Sequence, residues 1–302
     1  MSTPPSPRAH LPTEQANPAS AELDRLSIGD AFDVVNAEDA RIAAAVALAK
    51  PAIVRAIEIV SERLARGGRL FLVGAGTSGR LAVLDAAECP PTFRSEPGQV
   101  QGVIAGGARA LVSAVEGAED DRAAGAREME GRGVGKDDAV LGVAAGGTTP
   151  YVHGALAAAR AAGAATIFLA CVPRELVPDE ADVSIRVVTG PEVVAGSTRM
   201  KAGTATKMVL NLVSTLSMVR LGKVHGNLMI DVDTRGNAKL RQRGIDLVAR
   251  LVPCDAHRAE TLLDGADGEV KVAVAMGRLD VDAATARSRL AAAGGVLRRV
   301  IG

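Results

Sequence analysis

One pattern recurs along this chain and limits its fold more than any other feature. A short apolar run is followed by a glycine-rich turn and then by a helical pattern. The first instance is residues 69–73, then Gly74-Ala75-Gly76-Thr77-Ser78-Gly79, then a helix predicted over residues 80–87. Short, continuous apolar runs are typical of parallel strands, because helices cover both faces of such strands.

The same pattern predicts the fold class. Four more strands are predicted over residues 100–105, 138–143, 165–170 and 183–188, with helices starting near residues 108, 150 and 200. This alternation predicts an α/β fold, an open parallel sheet with helices on both faces. We predict three segments: a proline-rich flexible leader over residues 1–20, the α/β domain with its N-terminal helices over 21–236, and a small helical bundle over 237–302.

Composition excludes several function classes. The chain has 35 Lys and Arg against 35 Asp and Glu, and it contains four Phe, one Tyr and no Trp. Binding to nucleic acid requires an excess of positive charge and often aromatic stacking, so no nucleic-acid partner is predicted. The longest apolar run, over residues 161–172, is shorter than the roughly 20 residues of a membrane span. We therefore predict no membrane association.

The three cysteines, Cys89, Cys171 and Cys254, are far apart and lack metal-ligand spacing. Neither a metal site nor a disulfide framework is predicted, and a cytoplasmic location fits best. Cys89 as a nucleophile has no histidine near it in sequence, so a small buried residue is the better interpretation.

The first glycine loop matches the G-x-G-x-x-G pattern of dinucleotide-binding proteins. That reading needs an acidic residue at the end of the second strand, which here ends Val103-Ile104-Ala105-Gly106-Gly107. Because no carboxylate is present there, no cofactor is predicted. Backbone amides and hydroxyls at a helix N-terminus suit a phosphate group instead. The candidate binding residues are Gly76, Thr77, Ser78 and Gly79.

Two further hydroxyl clusters support a phosphate ligand. Thr148 and Thr149 follow the third strand, and Ser197 and Thr198 precede a long predicted helix, with Lys201 nearby. One such loop is equally consistent with a turn that binds nothing. A second loop at the same edge of a parallel sheet favours a phosphate monoester.

Several longer segments carry a resemblance to a known family. They are Gly74-Ala-Gly-Thr-Ser-Gly-Arg-Leu81, Asp85-Ala-Ala-Glu-Cys-Pro-Pro-Thr92, Ala114-Val-Glu-Gly-Ala-Glu-Asp120, Gly196-Ser-Thr-Arg-Met-Lys-Ala-Gly-Thr-Ala205 and Gly222-Lys-Val-His-Gly-Asn-Leu-Met-Ile-Asp231. Together they resemble the N-acetylmuramic acid 6-phosphate etherase family of the sugar isomerase (SIS) domain group, from about residue 13 to 243. The second loop departs from the family's Ala-Ala-Ser-Gly-Arg-Thr-Pro, reading Ala144-Ala-Gly-Gly-Thr-Thr-Pro150.

The resemblance implies an SIS-type three-layer fold and a lyase that needs no metal. It implies that N-acetylmuramate 6-phosphate is cleaved to N-acetylglucosamine 6-phosphate and D-lactate, a step of peptidoglycan recycling. The residues matching the family's catalytic pair are Glu88, the proton donor, and Glu119, the base. By themselves, these two glutamates are more typical of exposed surface acids. A homodimer is also implied.

The spacing of Glu88 and Ser78 adds a constraint. They are ten positions apart, which in a continuous helix is about 15 Å, too far for one hexose phosphate to bridge. Either the helix ends early and Cys89-Pro90-Pro91 turns the chain back, or a partner subunit supplies one group.

Two other functions stay open at this stage. A non-catalytic phosphosugar-sensing SIS regulator would use the same glycine loops. We expect such a regulator to carry a second SIS module or a helix-turn-helix domain, for which this chain has no room. A sugar-phosphate isomerase would share the abstraction of a proton from C2.

Overall fold

The computed structural model describes residues 8–302, so residues 1–7 of the predicted leader lie outside the described residues. The chain divides into two compact units. The first contains residues 8–86 and 100–213, and the second contains residues 87–99 and 214–302. The sequence-based boundary, after residue 236, differs from this division.

A five-stranded parallel sheet forms the centre of the first unit, as predicted. Its strands are β1 (Leu70–Gly74), β2 (Val100–Ile104), β3 (Ala139–Val143), β4 (Ala165–Ala170) and β5 (Val183–Arg186). They lie in the order β2-β1-β3-β4-β5. The three central strands are buried at every position, whereas β2 and β5 include half-buried residues. Continuous apolar runs therefore became central strands, as expected for a sheet covered on both faces.

Helices flank this sheet. They are α1 (Ile28–Asp39), α2 (Ile42–Leu48), α3 (Lys50–Ala65), α4 (Gly76–Phe93), α5 (Arg109–Val112), α6 (Arg122–Gly131), α7 (Pro150–Ala161) and α8 (Lys201–Arg220). Helix α4 begins in the first unit and ends in the second, and α8 does the same. Helix α6 was not predicted, since its sequence has no clear apolar periodicity.

The prediction of a flexible leader is wrong for residues 11–20. The Leu11 side chain is buried in the core of the first unit. The Asn17 amide donates to the Glu38 carboxylate (2.8 Å) and to the Pro191 carbonyl (3.2 Å), and the Ser20 hydroxyl donates to the Val193 carbonyl (2.7 Å). The prolines that indicated flexibility instead start short 3₁₀ turns over Pro12–Glu14 and Pro18–Ser20, since proline's fixed φ suits a first helical position.

The second unit is mainly helical, in line with the predicted C-terminal bundle. Its elements are a hairpin of β6 (Val224–His225) and β7 (Leu228–Met229), followed by α9 (Ala238–Leu251), α10 (Ala256–Gly265), α11 (Val270–Leu279), α12 (Ala283–Ala292) and α13 (Arg298–Ile301). Asn237, Asp255 and Asp282 cap three of these helices by accepting a backbone N–H. The hairpin was not predicted, because strands of two residues carry no periodic signal.

Candidate active site

The two glycine loops leave the sheet side by side. The strand order reverses between β1 and β3, and in open parallel sheets this reversal is where ligands bind. The first loop (residues 75–79) follows β1, and the second loop (residues 144–149) follows β3. The start of α8 lies against the first loop, since a Cβ on Gly203 would be 3.5 Å from the Thr77 methyl group and 3.4 Å from the Thr198 carbonyl. The three predicted hydroxyl clusters therefore share one edge of the sheet.

Gly79 shapes the first loop and does not offer its amide to a ligand. A Cβ at this position would lie 2.5 Å from Ile104 Cγ1 and 2.8 Å from the Gly74 carbonyl oxygen. Only glycine therefore allows the first turn of α4 to pack this closely against β1 and β2. The Gly79 amide already donates to the Ala75 carbonyl (3.2 Å). Thr77 and Ser78 are half-buried on the first turn of α4, where the leading amides of a helix have no partner within it.

A cleft of about 260 Å³ joins the first loop to the predicted base. Gly76 and Arg80 line it on one side, and Glu116, Glu119 and Asp120 line it as well. The Arg80 guanidinium donates to the carbonyls of Leu111 (3.1 Å) and Ser113 (3.3 Å), which fixes the segment that leads to these acids. Within residues 8–302, the Glu119 carboxylate is exposed and forms no ion pair. It is therefore available to accept a proton.

Close packing of two helices holds Glu119 beside the second loop. A Cβ on Gly125 would lie 2.0 Å from the Tyr151 carbonyl oxygen, and one on Gly154 would lie 1.9 Å from the Arg122 carbonyl oxygen. Only glycines at these positions allow α6 and α7 to approach so closely. The Tyr151 amide in turn donates to the Glu119 carbonyl (3.0 Å). The backbone of Glu119 is thus tied to the start of α7, immediately after Thr148 and Thr149.

Thr13 connects the second loop to the third hydroxyl cluster, and sequence reasoning missed it. Its carbonyl accepts the Gly196 amide (3.1 Å), and its Oγ1 would lie 3.7 Å from a Cβ on Gly146. The Thr13 side chain is fully buried, and its hydroxyl has no hydrogen-bond partner among the described residues. The only signal in the sequence was that the family resemblance begins near this residue.

Replacing Gly146 with serine is expected to stabilise the protein by about 1 kcal/mol. The new hydroxyl has space to reach Thr13 Oγ1, and the unfolded chain loses the freedom of a glycine. Denaturant unfolding measures the change. In a Thr13→Val background the hydrogen-bond part of the gain should disappear, and an equal gain in both backgrounds would contradict the assigned contact.

Lys201 does not belong among the ligand-binding residues, which corrects the prediction for this residue. It is buried, and its ammonium group donates to Glu38 Oε2 (2.5 Å). This hydrogen bond holds the pKa of Glu38 below its usual range. The Glu192 carboxylate accepts the amides of Lys201 and Ala202 (2.9 Å each), so the N-terminus of α8 already has an anion. Ser197 and Thr198 are half-buried and remain candidates.

Glu88 lies in the second unit, on a helix that does not end early. Helix α4 continues through Pro90 and Pro91 to Phe93, so the version in which these prolines turn the chain back is wrong. Glu88 is ten positions after Ser78 on this continuous helix, a rise of about 15 Å along the helix axis. Glu88 is exposed, and Cys89 is buried in agreement with its interpretation as a small packed residue.

Residues 8–302 contain neither a metal-binding cluster nor a membrane-spanning helix. No group of three or more His, Cys, Asp or Glu side chains in this range is arranged to hold a metal ion. No helix in the same range combines the length and apolar character needed to cross a bilayer.

Comparison with known proteins gives long matches. The sequence model described as "Glucokinase regulatory protein N-terminal SIS domain" matches residues 52–160. Three relatives are named N-acetylmuramic acid 6-phosphate etherase. The one from Gloeobacter violaceus is 55% identical over 96% of this chain and 94% of its own. The one from Crocosphaera subtropica is 54% identical over 91% of this chain and 90% of its own. The one from Gloeothece citriformis is 52% identical over 97% of this chain and 96% of its own.

Proposed function

Since this chain belongs to the N-acetylmuramic acid 6-phosphate etherase family, we propose that it cleaves the D-lactyl ether of N-acetylmuramate 6-phosphate. The enzyme is a carbon–oxygen lyase, and its products are N-acetylglucosamine 6-phosphate and D-lactate. The single observation in the structure that best supports this reaction is the cleft that joins the first glycine loop to Glu119. An unpaired carboxylate beside a phosphate-type loop is what proton abstraction from a sugar phosphate requires.

The two loops bind the substrate at its phosphate. Thr77 and Ser78 of the first loop, and Thr148 and Thr149 of the second, supply hydroxyls and amides to the phosphate oxygens. Ser197 and Thr198 lie at the same edge of the sheet and supply further hydroxyls there. Because the phosphate is fixed, the sugar carbon chain extends from the loops into the cleft that Glu119 lines.

Glu119 begins the reaction by taking the proton from C2. In the open-chain sugar this proton is acidic, because C2 is next to the C1 aldehyde. The electron pair of the C2–H bond forms the C2=C3 double bond, and the C3–O bond breaks. Its electron pair stays on the lactate oxygen, which takes a proton from Glu88. Water then adds at C3 and gives its proton to the Glu88 carboxylate, and Glu119 returns its proton to C2, which yields N-acetylglucosamine 6-phosphate and restores both glutamates.

A homodimer with shared sites reconciles this chemistry with the unbroken helix α4. We place the Glu88 that protonates lactate on the partner subunit, facing the loops and Glu119 of the first. The N-terminal helices support an interface, since Ile28, Phe32 and Leu48 are 92%, 64% and 86% exposed. Large apolar side chains this exposed are typical of surfaces that another chain covers.

Mixing two inactive variants tests the shared site. One chain carries Glu88→Ala, and the other carries Ser78→Asp, whose carboxylate repels the phosphate. In a hybrid dimer with shared sites, one site contains both substituted residues, and the other contains a wild-type Ser78 and a wild-type Glu88. Random pairing should therefore restore about a quarter of the wild-type rate. Differently tagged subunits allow the hybrid to be purified, and a purified hybrid without activity would show that each subunit builds its own site.

The remaining functional assignments follow from the substrate. We infer a cytoplasmic enzyme of amino-sugar metabolism that acts in N-acetylmuramate catabolism and peptidoglycan recycling. The balanced charge of the chain supports the absence of a nucleic-acid partner.

Release of D-lactate from N-acetylmuramate 6-phosphate tests the proposed function. The match to a regulatory-protein SIS domain over residues 52–160 makes a phosphosugar sensor the second candidate. A sensor binds the compound and releases no lactate. An isomerase also releases none, but converts an aldose phosphate to a ketose phosphate. The etherase gives lactate and N-acetylglucosamine 6-phosphate in equal amounts.

A further inference from the structure

The second loop contains two consecutive glycines, Gly146 and Gly147, just before the residues proposed to bind phosphate. Glycine restricts the backbone least of all residues. Gly147 has a φ of +80°, in the left-handed region, and its amide donates to the Ala144 carbonyl (2.8 Å). The direction of the following peptide, between Gly147 and Thr148, therefore depends on contacts from elsewhere.

His153, on the first turns of α7, makes such a contact. Its ring Nε2 lies 2.7 Å from the Gly147 carbonyl oxygen. Since a carbonyl oxygen only accepts, Nε2 carries the proton and donates it. The ring also lies against Phe168, with centroids 5.2 Å apart, and Phe168 is fully buried in β4. The imidazole is thus held in one orientation by the core of the first unit.

We propose that His153 is a positioning residue that directs the Thr148 amide toward the substrate phosphate. The peptide unit between Gly147 and Thr148 is planar and trans, so its C=O and N–H point in opposite directions. When His153 holds the carbonyl on its own side, the Thr148 N–H points to the other side of the loop. Thr148 and Thr149 are half-buried there, at the edge where the first loop also ends.

This role rests on the proposed function, but its chemistry is specific to the phosphate. Loss of the His153 donor leaves Glu119 and Glu88 unchanged, and frees the peptide to rotate. Binding of a phosphorylated sugar should then weaken, whereas the rate of the bound substrate should change little. A general loss of folding would instead lower the amount of active enzyme and leave KM unchanged.

Two variants separate the hydrogen bond from the ring. His153→Phe keeps an aromatic ring against Phe168 and lacks the donor, whereas His153→Gln restores an N–H donor. We expect His153→Phe to raise KM for N-acetylmuramate 6-phosphate about fivefold to tenfold, the effect of losing one ordinary hydrogen bond. The kcat should stay within about a factor of two, and His153→Gln should return KM close to the wild-type value.

Calorimetric binding of N-acetylglucosamine 6-phosphate gives a readout that does not need turnover. His153→Phe should weaken this binding by the same factor as KM, and His153→Gln should not. Unchanged KM and affinity in a folded His153→Phe protein would overturn the proposal. If His153→Phe does not fold, His153→Gln decides alone, because a raised KM in that variant contradicts the role of the donor. Wild-type lactate release tests the proposed function separately.

Discussion

Replacing Glu119 with glutamine is expected to lower the kcat for D-lactate release by about 10²–10⁴-fold. Glutamine keeps the shape of the side chain but takes no proton from C2. Because Glu119 lines the cleft and forms no ion pair within residues 8–302, its loss should disturb the fold little. Substrate affinity should therefore remain near that of the wild type. Steady-state kinetics and calorimetric binding of the product measure the two effects.

Glu116→Gln is the matched control for this prediction. Glu116 is the same residue type, is exposed and lines the same cleft. Glu116 transfers no proton in the proposed mechanism, so the Glu116→Gln variant should keep most of the wild-type activity. If the two variants lost activity equally, or if Glu119→Gln kept the wild-type rate, the base would have to be assigned elsewhere.

Replacing Lys201 with methionine should destabilise the protein by about 3–5 kcal/mol. The Lys201 side chain is 3% exposed and the Glu38 side chain 6% exposed, so the substitution leaves a buried carboxylate without its main partner. Two partners of the Glu38 carboxylate remain and offset part of the cost of burying its charge. They are Arg41, 3.0 Å from Oε1, and the Asn17 amide. Denaturant unfolding measures the loss. The double variant Glu38→Gln/Lys201→Met should lose clearly less than the two single variants added together.

The pH dependence of stability gives a second test of the same pair. Lys201 lowers the pKa of Glu38 in the folded protein. The resulting stabilisation is complete above the ordinary glutamate pKa and is lost as pH falls through the lowered folded value. Wild-type protein should therefore lose more stability on acidification than Lys201→Met. A Lys201→Met loss below about 1 kcal/mol, typical of an exposed pair, would contradict the buried-pair assignment.

Local signals made the sheet and its loops predictable. All five strands of the parallel sheet form within two residues of their predicted ends. The first three are short runs that end at a glycine-rich turn, and the turn marks where each strand stops. The same signals placed Thr77, Ser78, Thr148 and Thr149 at one edge. Neighbouring strands in a parallel sheet bring their carboxyl ends together, so this placement needed no long-range contact.

Contacts between distant residues were not predictable from the pattern. Lys201 looked like an anion ligand because its neighbours are Ser197 and Thr198, but Glu38, far earlier in the chain, already binds its ammonium group. Thr13 was assigned to a flexible leader because of nearby prolines, yet it is buried between two loops. In each case a contact with a residue distant in sequence determines the role, and such a contact cannot be predicted from the spacing of residues along the chain.

Incubation of the purified protein with N-acetylmuramate 6-phosphate, followed by assay of D-lactate and of N-acetylglucosamine 6-phosphate, tests the central claim most directly. We expect both products in equal amounts, and no lactate from N-acetylmuramate that lacks the phosphate. Glu119→Gln, assayed in parallel, should release almost none. Tight binding of N-acetylmuramate 6-phosphate with no release of lactate would contradict the etherase function and identify the chain as a phosphosugar sensor.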